Sequence, residues 1–560
     1  MHLTNEFVDF LNSLHNENAS NKNAIAEDAI SSDFFQRIEV RRDLLDSIRK
    51  KIEQGDFVIL TGHAGDGKTT LLWQLLDDLG YREKQLPPTG DWVLPDGLSF
   101  HYVKDMSELK ESDQQQELKT CFERDGASLL IGNTGPLLAT FKKLFGDGIE
   151  ETLLNAMDSQ TGESLRPALQ HREAFLVNIA RIDNTDFIAP FLKNILEPEL
   201  WEACENCSVK DHCPMYINQL LLSEQLQRAS SLISNIYLWL QEYDKRTTIR
   251  QMTAHISYAM TGGLRCMDVQ TKGGIDWPYA FLFSNLFFGL RGNEPIPDAM
   301  QIRGVVLVNE AGFDRRQTSM DYVLHTVHKF ADYYPQPLNT LLNSAFQGPS
   351  PRSRSRDLRV LKRAYMFFGQ NDQQKDAEVT AQFFSKWFTE YVRLRSDGGK
   401  VDSKLKKTVI TALNTLFVGD SGSRDTNEIN LTLRRNNEQV CNVQVLKGRI
   451  PKDEIEISCK PVSTVSSVSS RNLYTLTLRY RNLRFPLSLP LINYFDEIFN
   501  GVIVTDIDPL LSNGIDNLKS QLLSKCQSTC EDNEVQLVYL KGSYWAKRLL
   551  TLENHKICHE

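Results

Sequence analysis

The stretch Gly62-His63-Ala64-Gly65-Asp66-Gly67-Lys68-Thr69 decides how this chain is read. Its spacing is G-x-x-x-x-G-K-[ST], the pattern of a loop that cradles phosphate. Before it runs Phe57-Val58-Ile59-Leu60, a short apolar run that predicts a buried parallel strand. After it runs Thr70-Leu71-Leu72-Trp73-Gln74-Leu75-Leu76, which predicts a helix with an apolar face. Strand, glycine loop and helix therefore come in the order the pattern needs. Glycines let backbone N–H groups turn inward around phosphate oxygens, and a helix N-terminus adds positive potential. Gly62, His63, Ala64, Gly65, Asp66, Gly67, Lys68, Thr69 and Thr70 are the expected binding residues for ATP. Lys68 is expected to reach the β- and γ-phosphates, and Thr69 to ligate Mg²⁺ through its hydroxyl.

A nucleotide site of this kind also needs an acid on the metal side. Ser99 to Val103 reads as a strand, with Asp105 at its carboxyl end, where a Mg²⁺-ordering acid belongs. Leu86 to Gly97 is rich in Pro and Gly and predicts a loop, with at most a very short strand near Trp92-Val93-Leu94. Ser128 to Ile131 reads as another strand, ending in Gly132-Asn133-Thr134 with no carboxylate. Asp105 is thus expected on the metal side and Asn133 as a polar sensor of the γ-phosphate. Binding of ATP is better supported than its hydrolysis. Ala174 to Ala180 predicts a further buried strand, and alternating strands and helices imply a parallel sheet covered on both faces. Upstream, Asp33 to Gln54 has helical spacing; Arg41 and Arg42 within it could line the nucleotide pocket, but a solvated helix face is the expectation.

Composition bounds the rest. The chain has 560 residues, 41% hydrophobic and 24% charged, which suggests about three or four globular domains. The net charge of -9 argues against whole-surface attraction to nucleic acid while leaving room for a local basic patch. The longest apolar run, Trp277 to Leu290, is too short and too interrupted to span a membrane. The start, Met1-His2-Leu3-Thr4-Asn5-Glu6, lacks the regions of a signal peptide, so a cytoplasmic protein with free or metal-bound cysteines is expected.

Cysteines mark the second informative region. Cys204, Cys207 and Cys213 form C-x-x-C-x5-C. A closed zinc site wants four ligands, so a fourth is needed. His212 and Cys266 are the candidates; Cys266 is preferred because Gly262-Gly263 lets the chain turn toward the cluster. An Fe–S cluster is the lesser alternative, and free cysteines in a helical lid are the plain one. Long helices are expected between these cysteines: Tyr216 to Tyr243 is strongly apolar, and Thr247 or Thr248 caps another helix after it. A helical lid after an α/β core fits AAA+ and STAND architectures, in which an arginine near a lid-helix start reaches the nucleotide. Arg250 is that candidate.

From Ser350 to Phe368 the chain is locally basic, with Arg352, Arg354, Arg356, Arg359, Lys362 and Arg363 against Asp357 alone. Such spacing suits phosphate backbones, or equally a solvated helix face. After Asp397-Gly398-Gly399, alternation at Ile429, Leu431, Leu433 and at Tyr474, Leu476, Leu478, Tyr480 predicts antiparallel strands joined across a Ser-rich loop, Ser463 to Ser470. Arg479 and Arg481 are expected to share one strand face. No nuclease-type cluster of carboxylates with a lysine is visible.

Taken together, Lys104-Asp105-Met106-Ser107-Glu108, Leu130-Ile131-Gly132-Asn133-Thr134-Gly135 and the C-x-x-C-x5-C-P run resemble the F component of DNA phosphorothioation-dependent restriction systems. The resemblance is strongest over about residues 35–270. It implies a bacterial defence protein that acts with sister subunits G and H on DNA lacking the modification. The fold expected is an α/β P-loop NTPase, AAA+/STAND-like, with a helical lid, a helical middle region and a C-terminal α+β domain. The expected divisions are 1–50 (helical segment), 51–195 (nucleotide-binding), 196–275 (lid with cysteines), 276–400 (helical) and 401–560 (α+β). The function expected is an ATP-binding subunit, with ATPase activity open. A non-hydrolysing, nucleotide-switched scaffold and a STAND-type regulator are the alternatives.

Overall fold

The computed structural model describes residues 4–15, 32–81, 86–94, 97–159, 162–167, 172–275, 278–327, 329–346, 351–370, 373–419, 427–433, 442–461, 474–502, 507–526, 531–542, 544–553 and 555–559. The side chains of 351–356, 373–375 and 559 lie outside this description. The chain forms two compact units, Met1–Phe384 and Ser385–Ser463 with Arg471–Glu560. The division falls at 384/385, ahead of the Gly398-Gly399 break expected from sequence.

The first unit opens with helices α1 (Glu6–Ser13), α2 (Asp33–Ile38) and α3 (Asp43–Glu53), followed by strand β1 (Phe57–Gly62) and helix α4 (Lys68–Asp78). Then come β2 (Thr89–Val93), β3 (Ser99–Val103), α5 (Glu111–Glu123), β4 (Ala127–Asn133), α6 (Thr134–Phe145), α7 (Glu150–Asp158), β5 (Glu163–Leu165), β6 (Ala174–Asn178) and α8 (Ile188–Ile195). The six strands make one mixed sheet in the order β2-β3-β4-β1-β6-β5. The four central strands β3, β4, β1 and β6 are parallel, and the edges β2 and β5 run antiparallel to their neighbours. Every residue of β1 and of β6 is buried, as a strand covered on both faces requires. Alternate residues of β1 feed two cores: Val58 and Leu60 meet Leu72, Leu75 and Leu76 of α4, while Phe57 and Ile59 meet Phe122 and Phe141 on the other side.

The sheet order decides the position of the acid. β2 does exist, as a hairpin with β3 rather than a loop, and Trp92 on it packs edge-on against Tyr81 at 5.3 Å. β4, which carries Asn133, lies between β1 and β3, which leads to Asp105. Parallel strands all end on the same edge of the sheet, so the ends of β1, β3 and β4 deliver the glycine loop, Asp105 and Asn133 side by side.

A helical layer follows: α9 (Pro214–Glu224), α10 (Leu226–Glu242) and α11 (Ile249–Thr261). The helices expected across the apolar stretch Tyr216 to Tyr243 are the first two of these, parted at Gln225. Further helices complete the unit, among them α12 (Pro351–Phe368) and the small hairpin β7 (Leu290–Arg291) and β8 (Glu294–Pro295). In α12 the basic residues with described side chains do not form a solvated stripe. Lys362 and Arg363 are buried, Arg363 donating to Asp314 (2.7 Å), Asn285 (2.9 Å) and the Gly292 carbonyl (2.6 Å). Lys362 bonds Asp321, and Arg359 pairs with the same Asp314.

The second unit holds α13 (Ser403–Val418), β9 (Glu428–Thr432), β10 (Val443–Pro451), β11 (Glu456–Pro461), β12 (Tyr474–Tyr480), β13 (Leu483–Pro486), α14 (Leu489–Phe499), α15 (Pro509–Lys525), β14 (Glu534–Lys541), β15 (Tyr544–Glu553) and β16 (Lys556–His559). Its strands form a five-stranded sheet β16-β15-β14-β10-β9 and a three-stranded sheet β11-β12-β13, each antiparallel throughout. The Ser463–Ser470 loop lies outside the described residues. Arg479 pairs with Glu456, but Arg481 sits beyond β12 at a φ of 51° and bonds the Lys525 carbonyl, so the two do not form the expected strand-face pair. No helix among the described residues is long and apolar enough to cross a membrane.

Candidate nucleotide site

The glycine loop turns sharply between β1 and α4. Gly65 and Gly67 hold φ of 90° and 81°, in the left-handed region where a side chain is strained. A Cβ on Gly65 would also stand 3.1 Å from both the Arg250 Cβ and the Thr248 hydroxyl oxygen, because α11 begins directly against the loop. Thr248 is the N-cap of α11, its hydroxyl accepting from the Gln251 N–H in a capping box. That places Arg250 in the first turn, where its N–H donates to the Gly65 carbonyl at 3.0 Å.

Asp66 points into the loop and is fully buried. It accepts from the His63 N–H (3.0 Å) and from Arg246 Nη1 (2.8 Å), while Arg246 Nη2 donates to the Ile179 carbonyl at the end of β6 (3.0 Å). Asp66 therefore serves the loop's shape rather than facing a ligand directly. Arg246 was not legible as a site residue: it sits in a polar turn between two helices and carries no motif.

Lys68 begins α4 and is buried, donating to the carbonyls of Gly62 (3.2 Å) and His63 (2.9 Å) and to Asn133 Oδ1 (3.0 Å). Burial lowers the pKa of its ammonium, the Asp66 and Asp105 charges pull it back up, and Arg250 lowers it again. Asp105 caps a short 3₁₀ turn, one carboxylate oxygen accepting from both the N–H and the hydroxyl of Ser107.

These groups border one cavity of about 250 Å³. Polar lining comes from Lys68, Thr69, Thr70, Asp105, Asn133 and Arg250, brought from four separate segments. Apolar lining comes from Leu14, Phe35, Ile38, Val40, Phe187 and Phe191. Glu39 and Gln74 line it too: Gln74 Nε2 donates to Glu39 Oε1 (3.0 Å) and to the Val40 carbonyl (3.1 Å), and burial raises the Glu39 carboxyl pKa. A hard-oxygen pair, the Thr69 hydroxyl and the Asp105 carboxylate, on this lining suits Mg²⁺. Arg42 also lines the cavity, contrary to the solvated face expected for it: its side chain is 4% exposed and bonds Asn184 at 3.1 Å. Its Nε and Nη1 have no partner, so two buried donors stand at the cavity. Arg41 does face outward and pairs with Asp78.

The cysteines form a second cluster. Cys204, Cys207, Cys213 and Cys266 line one small cavity of about 20 Å³, while the alternative His212 is exposed and does not line it. As they stand, no group of three or more His, Cys, Asp or Glu among the described residues is arranged to hold a metal ion. Burial pushes the thiols of Cys204 and Cys213 up to about 12 and about 11. No protein-family model, curated protein or solved structure matches the chain.

Proposed function

We propose that the first unit is a P-loop NTPase of the AAA+/STAND kind that binds ATP with Mg²⁺. The observation that carries this reading is the convergence of Lys68, Thr69, Asp105, Asn133 and Arg250 on one cavity that also has an apolar lining. A nucleotide is amphiphilic in the same sense. The triphosphate would meet the N-terminus of α4, Lys68 and Arg250. The base would meet Phe35, Ile38 and Phe187. The strand carrying Asn133 lies between the strand of the glycine loop and the strand leading to Asp105, the additional-strand order of this class of ATPase. Mg²⁺, held by Thr69 and Asp105, would neutralise charge between the β- and γ-phosphates.

One observation favours a non-hydrolysing switch as the second reading. Turning water into a nucleophile calls for a base near the γ-phosphate. Among the described residues the cavity lining holds two carboxylates, Asp105, here assigned to the metal, and Glu39, which is bonded by Gln74; the residue after Asp105, Met106, is apolar and fully buried. In either reading Arg250 and Arg246 connect the phosphate end to the helical layer, so nucleotide state would alter how that layer sits on the loop.

The larger role we propose is that of a subunit of a DNA phosphorothioation-dependent restriction complex, acting with sister subunits G and H on unmodified DNA. It rests on the motif resemblance alone. Because Arg359, Lys362 and Arg363 are taken up by internal ion pairs, DNA contact is assigned mainly to the partners. ATP titration calorimetry on the wild-type chain and on Lys68→Ala tests the nucleotide reading; equal affinities would end it. Co-purification with sister subunits tests the complex, and a chain that associates with neither would end that part.

A further inference from the structure

We propose that Cys204, Cys207, Cys213 and Cys266 hold one zinc ion, and that this ion fastens the first helix of the chain to the helical layer. The four residues come from three places: the Cys204/Cys207 turn, the start of α9, and the start of the short helix Cys266–Gln270. The fold brings them to one cavity although Cys266 is remote in sequence.

Each sulfur already accepts an N–H. Asn5 gives its backbone N–H to Cys266 Sγ (3.4 Å) and its side-chain amide to Cys204 Sγ (3.3 Å). Gln270 Nε2 donates to Cys207 Sγ at 3.7 Å, and the backbone N–H groups of Met215 and Tyr216 donate to Cys213. A neutral thiol is a weak acceptor, whereas a metal-bound thiolate is a good one, so such donors are the usual outer shell of a thiolate site. Four cysteines lining one small cavity supply the number and kind of ligand that a closed Zn²⁺ site uses, and binding would draw the sulfurs in around the ion.

Ligand set and charge favour zinc. Four thiolates make the tetrahedral set of a structural Zn²⁺ site, and elemental analysis separates this ion from an iron–sulfur cluster. Four thiolates and Zn²⁺ leave two net negative charges. Lys210 lies on the cavity lining to offset them, its ammonium held by the Glu205 carbonyl at 2.9 Å.

The outer shell is also the start of α1. Asn5 is its N-cap, the side-chain oxygen accepting from the Phe7 N–H at 3.0 Å while the amide serves Cys204 and the Leu200 carbonyl. Phe7 packs edge-on against Trp201, with centroids 5.8 Å apart. An ion that orders the sulfurs therefore orders the N-cap of α1.

The test uses the full native chain and needs no nucleotide, so its failure would leave the ATP reading untouched. Elemental analysis should find about one zinc per chain, retained in Cys121→Ser and Cys459→Ser and lost in Cys207→Ser and Cys266→Ser. Absence of metal, stoichiometric iron with a visible chromophore, or zinc retained in both Cys207→Ser and Cys266→Ser would each overturn the proposal. Since cysteine variants can misfold, the second measurement is hydrogen exchange on wild type before and after chelation. Residues 6–13 should lose protection, while β1, β4 and β6 keep theirs. Unchanged protection of residues 6–13 after complete zinc removal would overturn the tether.

Discussion

Arg246 Nη1 lies 2.8 Å from Asp66 Oδ1, and this bond joins the approach to α11 to the interior of the glycine loop. Asp66 is completely buried, and the arginine side chain is 14% exposed. Removing one partner of such a pair strands the other charge and costs about 3 kcal/mol or more. Arg246→Ala should therefore lower the thermal midpoint and weaken ATP binding together. Adding Asp66→Asn should recover part of the stability. A thermal midpoint unchanged in Arg246→Ala would show that the pair does not hold the loop.

On the proposed reading, Lys68 contributes a charge to the phosphates and Asp105 orders Mg²⁺ beside it. Lys68→Ala should weaken ATP by about 10- to 100-fold, the size of one lost charge-assisted contact. Asp105→Asn should instead reduce the gain in affinity that Mg²⁺ gives, leaving metal-free binding nearly intact. Calorimetry with and without Mg²⁺ separates the two. Equal Mg²⁺ dependence in Asp105→Asn and wild type would remove Asp105 from the metal side. Turnover measured with partners and DNA decides between ATPase and switch, and Asn133→Ala should lower any turnover found.

The basic stretch on α12 gives an expectation opposite to the one its composition suggests. Arg363 is 1% exposed and holds Asp314, Asn285 and a backbone carbonyl. Arg363→Ala should destabilise the first unit by about 3 kcal/mol. DNA binding of the assembled complex should keep its salt dependence, whereas loss of a phosphate contact would lower the slope by about one unit. A reduced slope at unchanged stability would return this residue to the DNA surface.

A half-buried histidine, His15, and a fully buried one, His255, make the first unit sensitive to acid. Burial lowers both His15 and His255 to about 4, from an ordinary 6.5. His255 bonds the Tyr237 hydroxyl (2.8 Å) and the Phe287 carbonyl (2.7 Å). Between pH 6.5 and 4 the unfolded chain binds more protons than the folded one. The stability these neutral rings contribute is complete above pH 6.5 and is lost as pH falls toward 4. By pH 5 each should cost about 2 kcal/mol. Denaturant midpoints across this range should fall, with a shallower slope in His15→Gln; a flat profile from pH 7 to 5 would refute the assignment.

Local signals carried much of this into view from the sequence. The apolar runs of β1, β4 and β6 and the glycine spacing at residues 62–69 are short-range patterns, and Thr248 caps α11 where a hydroxyl residue before a helix was expected. What stayed hidden depended on partners far along the chain. Arg246 reads as a polar turn because Asp66 lies about 180 residues away. Arg42 looks solvated beside Arg41 until Asn184 covers it. The basic run on α12 resembles a phosphate-binding face because Asp314 and Asp321 are out of its sequence window. The edge strand β2 was hard to see because Thr89-Gly90-Asp91 gave it no β-rich signature, and the place of β4 between β3 and β1 rests on pairings distant in sequence.

The attachment of α1 sets a schedule for synthesis. Asn5 needs Leu200, Cys204 and Cys266, and Asn12 needs Leu264, so α1 lacks these partners until residue 266 has been made. Eight residues are too few to stay helical alone in water. At translation speeds of about 5–20 residues per second, the segment waits on the order of ten seconds or more. This helix is thus made long before the partners that seat it. Nascent chains stalled at 240 residues should be clipped by protease near Phe7 and Phe10, and chains stalled past 310 should be protected there. Protection already present at 240 would mean that the N-terminus finds another partner first.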